Sequence, residues 1–85
     1  MMVLIPSPLH SYTGRAEVEA DGGTIDEVLR DLDRRHPGLR FRIVDEQDRM
    51  RPHVRFFVDG EQVFDLGQRL EPGQSVQIVQ ALSGG

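Results

Sequence analysis

The 85 residues contain no cysteine and no tryptophan, and all ten basic residues are arginine. Without thiols the chain offers no disulfide, no cysteine nucleophile, no iron–sulfur cluster and no thiolate zinc site. A small domain with neither disulfides nor metal suits a reducing compartment, so the cytoplasm is the expected location. The longest apolar run, Met1 to Ile5, is far short of the roughly 20 residues a bilayer-spanning helix needs. No basic segment precedes it, so no signal peptide is expected. With four Phe, one Tyr and 38% apolar residues, the large side chains are all needed for a small core. A spacious enclosed active-site cavity is therefore excluded. A net charge of −4 disfavours nucleic acid as a partner and points to a basic protein instead. The missing lysines leave the N-terminal amine as the one acceptor for an isopeptide-type bond. A GC-rich coding sequence is the favoured explanation of their absence.

The length fits one domain. Met2 to Ile5 suits a strand buried on both faces, ended by Pro6 and Pro8, which cannot extend a hydrogen-bond ladder. Ser11-Tyr12-Thr13-Gly14 has turn chemistry, and Ala16 to Ala20 alternates as a second strand with one wet face, forming a hairpin with the first. Asp21-Gly22-Gly23 breaks it. Thr24 with Glu27 makes a capping box, and Ile25, Val28, Leu29 and Leu32 form one apolar helical stripe. A helix over 24–36 follows, stopped by Pro37-Gly38.

Leu39 to Val44 is ambiguous between a strand and an irregular stretch, and Asp45 to Pro52 reads as an exposed loop. Val54 to Val58 is a strand, with Val54, Phe56 and Val58 on one face and Arg55 and Phe57 on the other. Asp59-Gly60 is a strong hairpin signal, returning through Glu61-Gln62-Val63. Pro72-Gly73 is placed for a type II turn, and Ser75 to Ala81 is the last strand, with Val76 and Ile78 inward and Val79 and Ala81 outward. The expected fold class is α+β: a mixed four- to five-stranded sheet with one main helix packed on one face. Val28, Leu29, Leu32, Val54, Phe56, Val58, Val76 and Ile78 are its expected core. Residues 1–81 form the domain and 82–85 a flexible tail.

Catalytic constellations are lacking. His10, His36 and His53 have neither helix nor strand ligand spacing, so no metal site is expected. Asp45, Glu46 and Asp48 lack the apolar neighbours that would raise a carboxyl pKa. The serines have no companion histidine and acid, and the glycines show no phosphate-loop pattern. What remains is Gly84-Gly85 directly after a strand. Two residues without Cβ can pass through a narrow tunnel, which makes the Gly85 carboxylate the candidate reactive group. Parity puts Phe57, Val79 and Ala81 outward beside that tail as a candidate partner patch. The competing expectation is that the 39–52 segment covers this face.

These features resemble the ubiquitin-like sulfur carriers, the ThiS/MoaD group with the β-grasp fold. The resemblance spans essentially the whole chain. It rests on the hairpin-then-helix opening, Val54-Arg55-Phe56-Phe57-Val58 with Asp59-Gly60-Glu61, Pro72-Gly73-Gln74-Ser75-Val76, and the ending Ala81-Leu82-Ser83-Gly84-Gly85. Ile5-Pro6, Leu9, Thr13-Gly14 and the loop ending Arg51-Pro52-His53-Val54 look more like the carriers of cysteine biosynthesis. Leu-Ser-Gly-Gly departs from the Val-Ala-Gly-Gly ending of many relatives, which bears on the choice of activating enzyme.

The resemblance implies that a ubiquitin-activating-type adenylyltransferase uses ATP to adenylate Gly85. A persulfide or sulfide then displaces AMP to leave a thiocarboxylate. Leu82, Ser83 and Gly84 would thread the partner's active site. The chain itself would be no enzyme and bind no cofactor. Its further partners would be a sulfur-accepting biosynthetic enzyme and a metalloprotease that trims or hydrolyses the C-terminus. Two other readings stay open: a protein modifier conjugated through Gly85, and a passive β-grasp binding module.

Overall fold

The computed structural model describes residues 1–80. The first apolar run forms β1 (Met2–Leu4), and the Glu-Val-Glu alternation forms β2 (Glu17–Glu19), antiparallel to it with Val3 opposite Val18. Burial on both faces holds only in part, because Met2 is exposed while Val3 and Ile5 are buried. The connection is more ordered than a turn. Ser7–Leu9 makes a 3-10 turn and His10–Thr13 a short helix, α1, closed by Gly14. Leu9 explains this ordering: it is buried in the core and pulls the segment inward. The His10 ring donates from Nε2 to the Ile5 carbonyl at 2.8 Å and fastens the helix start to the strand end.

The main helix, α2 (Ile25–Arg35), has Thr24 and His36 as its caps. The Glu27 N–H donates to Thr24 Oγ1 at 3.1 Å, and the Glu27 carboxylate accepts from the Gly23 N–H at 2.7 Å. This is the reciprocal capping logic, with the return bond reaching one residue further back. Ile25, Val28, Leu29 and Leu32 are all buried, so the stripe is the docking face. On the solvent side Arg30 pairs with Asp26 at 2.8 Å, and Arg34 and Arg35 both pair with Asp31.

The 39–44 stretch, expected as a strand or an irregular segment, is instead a third helix, α3 (Leu39–Ile43). Leu39 and Ile43, four residues apart, are fully buried, whereas Phe41 is 52% exposed. In a strand all three would share one face, so the exposure of Phe41 shows why the helix prevails. Gly38 opens α3 at φ +93°, a left-handed conformation that a Cβ would strain, and a Cβ there would also meet the Tyr12 ring at 3.3 Å. Asp33 accepts from the Gly38 and Arg40 N–H groups, satisfying donors at the start of α3. The loop that follows is closed by a bridge between Val44 and Met50.

β3 (Val54–Val58) and β4 (Glu61–Val63) form the expected hairpin, with Asp59 at φ 48° and Gly60 at φ 87° in its turn. Positive φ at both central residues is the type I′ requirement. The Pro72-Gly73 turn is closed by Gln74 N–H donating to the Glu71 carbonyl. β5 (Val76–Gln80) then enters the centre of the sheet, whose order is β2-β1-β5-β3-β4. It runs parallel to β1 and antiparallel to β3, making a mixed five-stranded sheet. All eight residues expected in the core are buried, and Leu9, Leu39, Ile43, Val44 and Leu70 join them. Ala81 and the proposed tail boundary at 82 lie outside the described residues.

Candidate functional site

The candidate site is the end of the sheet at which β5 finishes. β5 is bonded on both sides, to β1 through Val76 and Gln77 and to β3 along its whole length, ending with Gln80 opposite Val54. Beyond Gln77 it is paired with β3 alone. The following residues, Ala81, Leu82, Ser83, Gly84 and Gly85, lie outside the described residues. Fully extended, five residues reach about 17 Å.

Phe57 and Val79 sit where parity places them. Phe57 is opposite Gln77, and Val79 is opposite Arg55, so the two are diagonal neighbours on the face turned away from α2. Both are half-buried rather than openly exposed. The 39–52 segment does not lie over them. Leu39, Ile43 and Val44 belong to the core on the other face, and Met50 packs against that same core.

Sequence reading missed what borders this patch. Pro6 stops β1, yet β5 runs on past it through Val79 and Gln80. The step leaves a cleft of about 490 Å³ between Leu4, Pro6 and Pro8 on one side and Gln77 and Val79 on the other. The available signal was the Pro6-Ser7-Pro8 sequence, which ends one strand but says nothing about its neighbour.

On the helix side of Gln80 lies a second, smaller cleft of about 240 Å³, lined by Phe41, Arg42, Arg51, His53 and Gln80. The Arg51 guanidinium stands 4.9 Å from the centre of the Phe41 ring, and its Nε donates to the Phe41 carbonyl at 2.9 Å. Arg55 donates to the carbonyls of Pro52 and Val54. Gln80 Oε1 is buried without a hydrogen-bond partner among the described residues.

Elsewhere the titratable groups are structural. The N–H groups of Arg49 and then Gln47 hold the Asp45 carboxyl below its ordinary range against some burial, aided by the charges of Arg49 and Arg51. Asp48 pairs with Arg40 at 3.0 Å. Asp31 is lowered to about 2, first by the Asp21 N–H and then by Arg34 and Arg35. No group of His, Asp or Glu among the described residues could hold a metal ion. Among the described residues, this end is the finish of a strand flanked by an apolar step and a cationic cleft.

A family model described as the ThiS family matches residues 3–85. The sulfur carrier protein CysO of Mycobacterium tuberculosis is 33% identical, covering 98% of this chain and 96% of that protein. Among solved structures, the BexX/CysO complex of Amycolatopsis orientalis gives a TM-score of 0.90 at 32% identity, covering 99% of this chain and 98% of its counterpart. SAMP1 from Haloferax volcanii gives a TM-score of 0.80 at 25% identity, covering all of this chain and 98% of that one.

Proposed function

The chain belongs to the ThiS family, and from that premise we propose that it carries sulfur as a thiocarboxylate on Gly85. Carriers of this type are substrates of other enzymes rather than catalysts. The observation that carries the reading is the placement of β5. β5 is a central strand that ends at Gln80, beyond the end of β1, and the family match continues through Gly85.

In the proposed first step a Gly85 carboxylate oxygen attacks the α-phosphorus of ATP on an activating enzyme, and pyrophosphate leaves. The acyl-adenylate has AMP as its leaving group. Attack by hydrosulfide on the acyl carbon expels AMP and leaves the thiocarboxylate and a proton. From a persulfide donor, a thiol must then cut the remaining sulfur–sulfur bond. ATP is thus consumed by the partner. Leu82, Ser83 and Gly84 thread that partner's active site, while Phe57, Val79 and Ala81 rest against its surface. The likeness to CysO supports cysteine biosynthesis as the destination of the sulfur. The partners are then an adenylyltransferase of the ubiquitin-activating type, a sulfur-accepting enzyme and a metalloprotease that trims the C-terminus. No helix among the described residues is long and apolar enough to cross a membrane. The cytoplasm, with its ATP and reduced thiols, is the proposed location.

The test is carrier-dependent ATP–pyrophosphate exchange by the cognate adenylyltransferase. Deleting Gly85 abolishes exchange and leaves folding unchanged, because the buried core among the described residues lies within 3–78. Gly84→Val does nearly the same, since a β-branched side chain restricts the backbone where a tunnel must close around it. Adding one residue after Gly85 also blocks the reaction. Exchange at wild-type rate in the Gly85 deletion defeats the reading. In protein isolated from its own cells, a mass gain of sulfur for oxygen supports the carrier, whereas higher-mass conjugates would support a modifier.

A further inference from the structure

We propose that the β5 end of the sheet, through Arg42, Arg51 and Arg55, is a cationic docking surface for an acidic rim on the activating enzyme. This rests on the carrier reading and deepens it by giving the chemistry of the partner. Net charge alone points to a basic partner, but the charges are not evenly spread.

The arginines divide into two sets. Arg30, Arg34, Arg35 and Arg40 are each neutralised by aspartates: Asp26, Asp31, Asp21 and Asp48. The other six, Arg15, Arg42, Arg49, Arg51, Arg55 and Arg69, have no carboxylate within ion-pair distance among the described residues, and three of them, Arg42, Arg51 and Arg55, gather at the end of β5. Arg51 and Arg55 are instead held by neutral groups, namely backbone carbonyls and the Phe41 ring. Such contacts fix a guanidinium in place without cancelling its charge. Each guanidinium carries five donors, so several remain for a carboxylate outside the chain. Arg42 and Arg51 share the cleft at Gln80 with His53, and Arg55 is opposite Val79 on the other face, so cations stand on both sides of the strand end.

The opposite end of the sheet carries acids. Asp59 and Glu61 lie at the β3–β4 turn, and Glu71 lies at the turn leading into β5. A molecule charged in this way is oriented by an acidic partner with its β5 end leading. The nucleotide phosphates do not explain the cluster. Five residues, about 17 Å when extended, separate Gln80 from the reacting carboxylate, so this surface meets the wall around the entrance.

The experiment measures pyrophosphate exchange by the cognate adenylyltransferase against carrier concentration. Arg42→Glu with Arg55→Glu should raise the half-saturating carrier concentration by about tenfold at low salt, with the saturated rate unchanged. Raising salt to about 0.5 M should shrink that difference. Arg69→Glu, set against Arg42→Glu and Arg55→Glu singly, is the charge-matched control, because Arg69 is exposed beside Thr24, away from Gln80, and it should have little effect. Circular dichroism checks that all variants remain folded. An unmoved half-saturation in the double variant, or an equal rise with Arg69→Glu, overturns the inference and leaves the carrier reading standing. No exchange by the wild type defeats the carrier reading and this inference with it.

Discussion

The two faces of one sheet are built differently, although adjacent residues of the same strands make them. Toward α2, Val54, Phe56, Val58, Val76 and Ile78 are closed off from water by α2 and α3. On the other face, Arg55 and Gln77 are exposed and Phe57 and Val79 only half-buried. The arginines follow a related division, with those on α2 tied to aspartates and Arg51 and Arg55, near the end of β5, tied to carbonyls and a ring. The covered face supplies stability. The open face and its β5 end keep apolar and cationic groups available, which suits a protein that must be recognised by a partner.

The sharpest way to break this comparison is to alter two neighbouring phenylalanines. Phe56→Ala should destabilise the protein by about 3–5 kcal/mol, measured by urea unfolding, because it empties the centre of the core. Phe57→Asp should leave the far-UV circular dichroism intact while weakening binding to the activating enzyme. Loss of secondary structure in Phe57→Asp would show that the open face is part of the core. A smaller effect tests the covered side from its edge. Thr24→Ala should cost about 1 kcal/mol by removing the oxygen that accepts from Glu27 N–H.

The smallest effect concerns the paired arginines. Asp31 has its pKa lowered from 3.8 to about 2 in the fold. Its contribution to stability is therefore fully present above about pH 4 and is lost as pH falls toward 2. Asp26 and Asp45 are lowered as well and act in the same direction. Acid titration of thermal stability should show a decline in this window, and Asp31→Asn should flatten part of it. An unchanged slope in Asp31→Asn would mean that the Asp31 contacts do not form in solution.

Much of the fold was legible because local chemistry and tertiary demand agreed. Thr24 and Glu27 announced the start of α2, the parity of Val54, Phe56 and Val58 gave β3 its faces, and Asp59-Gly60 gave the hairpin. The 39–44 stretch was not legible, since Leu39, Phe41 and Ile43 fit an alternating strand while Leu39 and Ile43 also fit one helical turn. What decided it was the shape of the core, which admits Leu39 and Ile43 but leaves Phe41 outside. The same limit applies to the site. Parity placed Phe57 and Val79 on one face, yet the flanking cleft at Pro6 and the cationic cleft at Gln80 depend on which strands are neighbours.

The sequence by itself determined the elements with a local cause: the capped helix, the alternating strands, the turns that need glycine, and the absence of thiols. It also contained the Gly84-Gly85 ending that points to acyl chemistry. Only the tertiary structure decided that β5 lies between β1 and β3, because pairing between distant strands is set by how the whole apolar surface is buried. That placement gathers Arg42, Arg51 and Arg55, from a helix, a loop and a strand, around the end of β5. No spacing along the chain encodes that proximity, since it arises only when the three elements share one core.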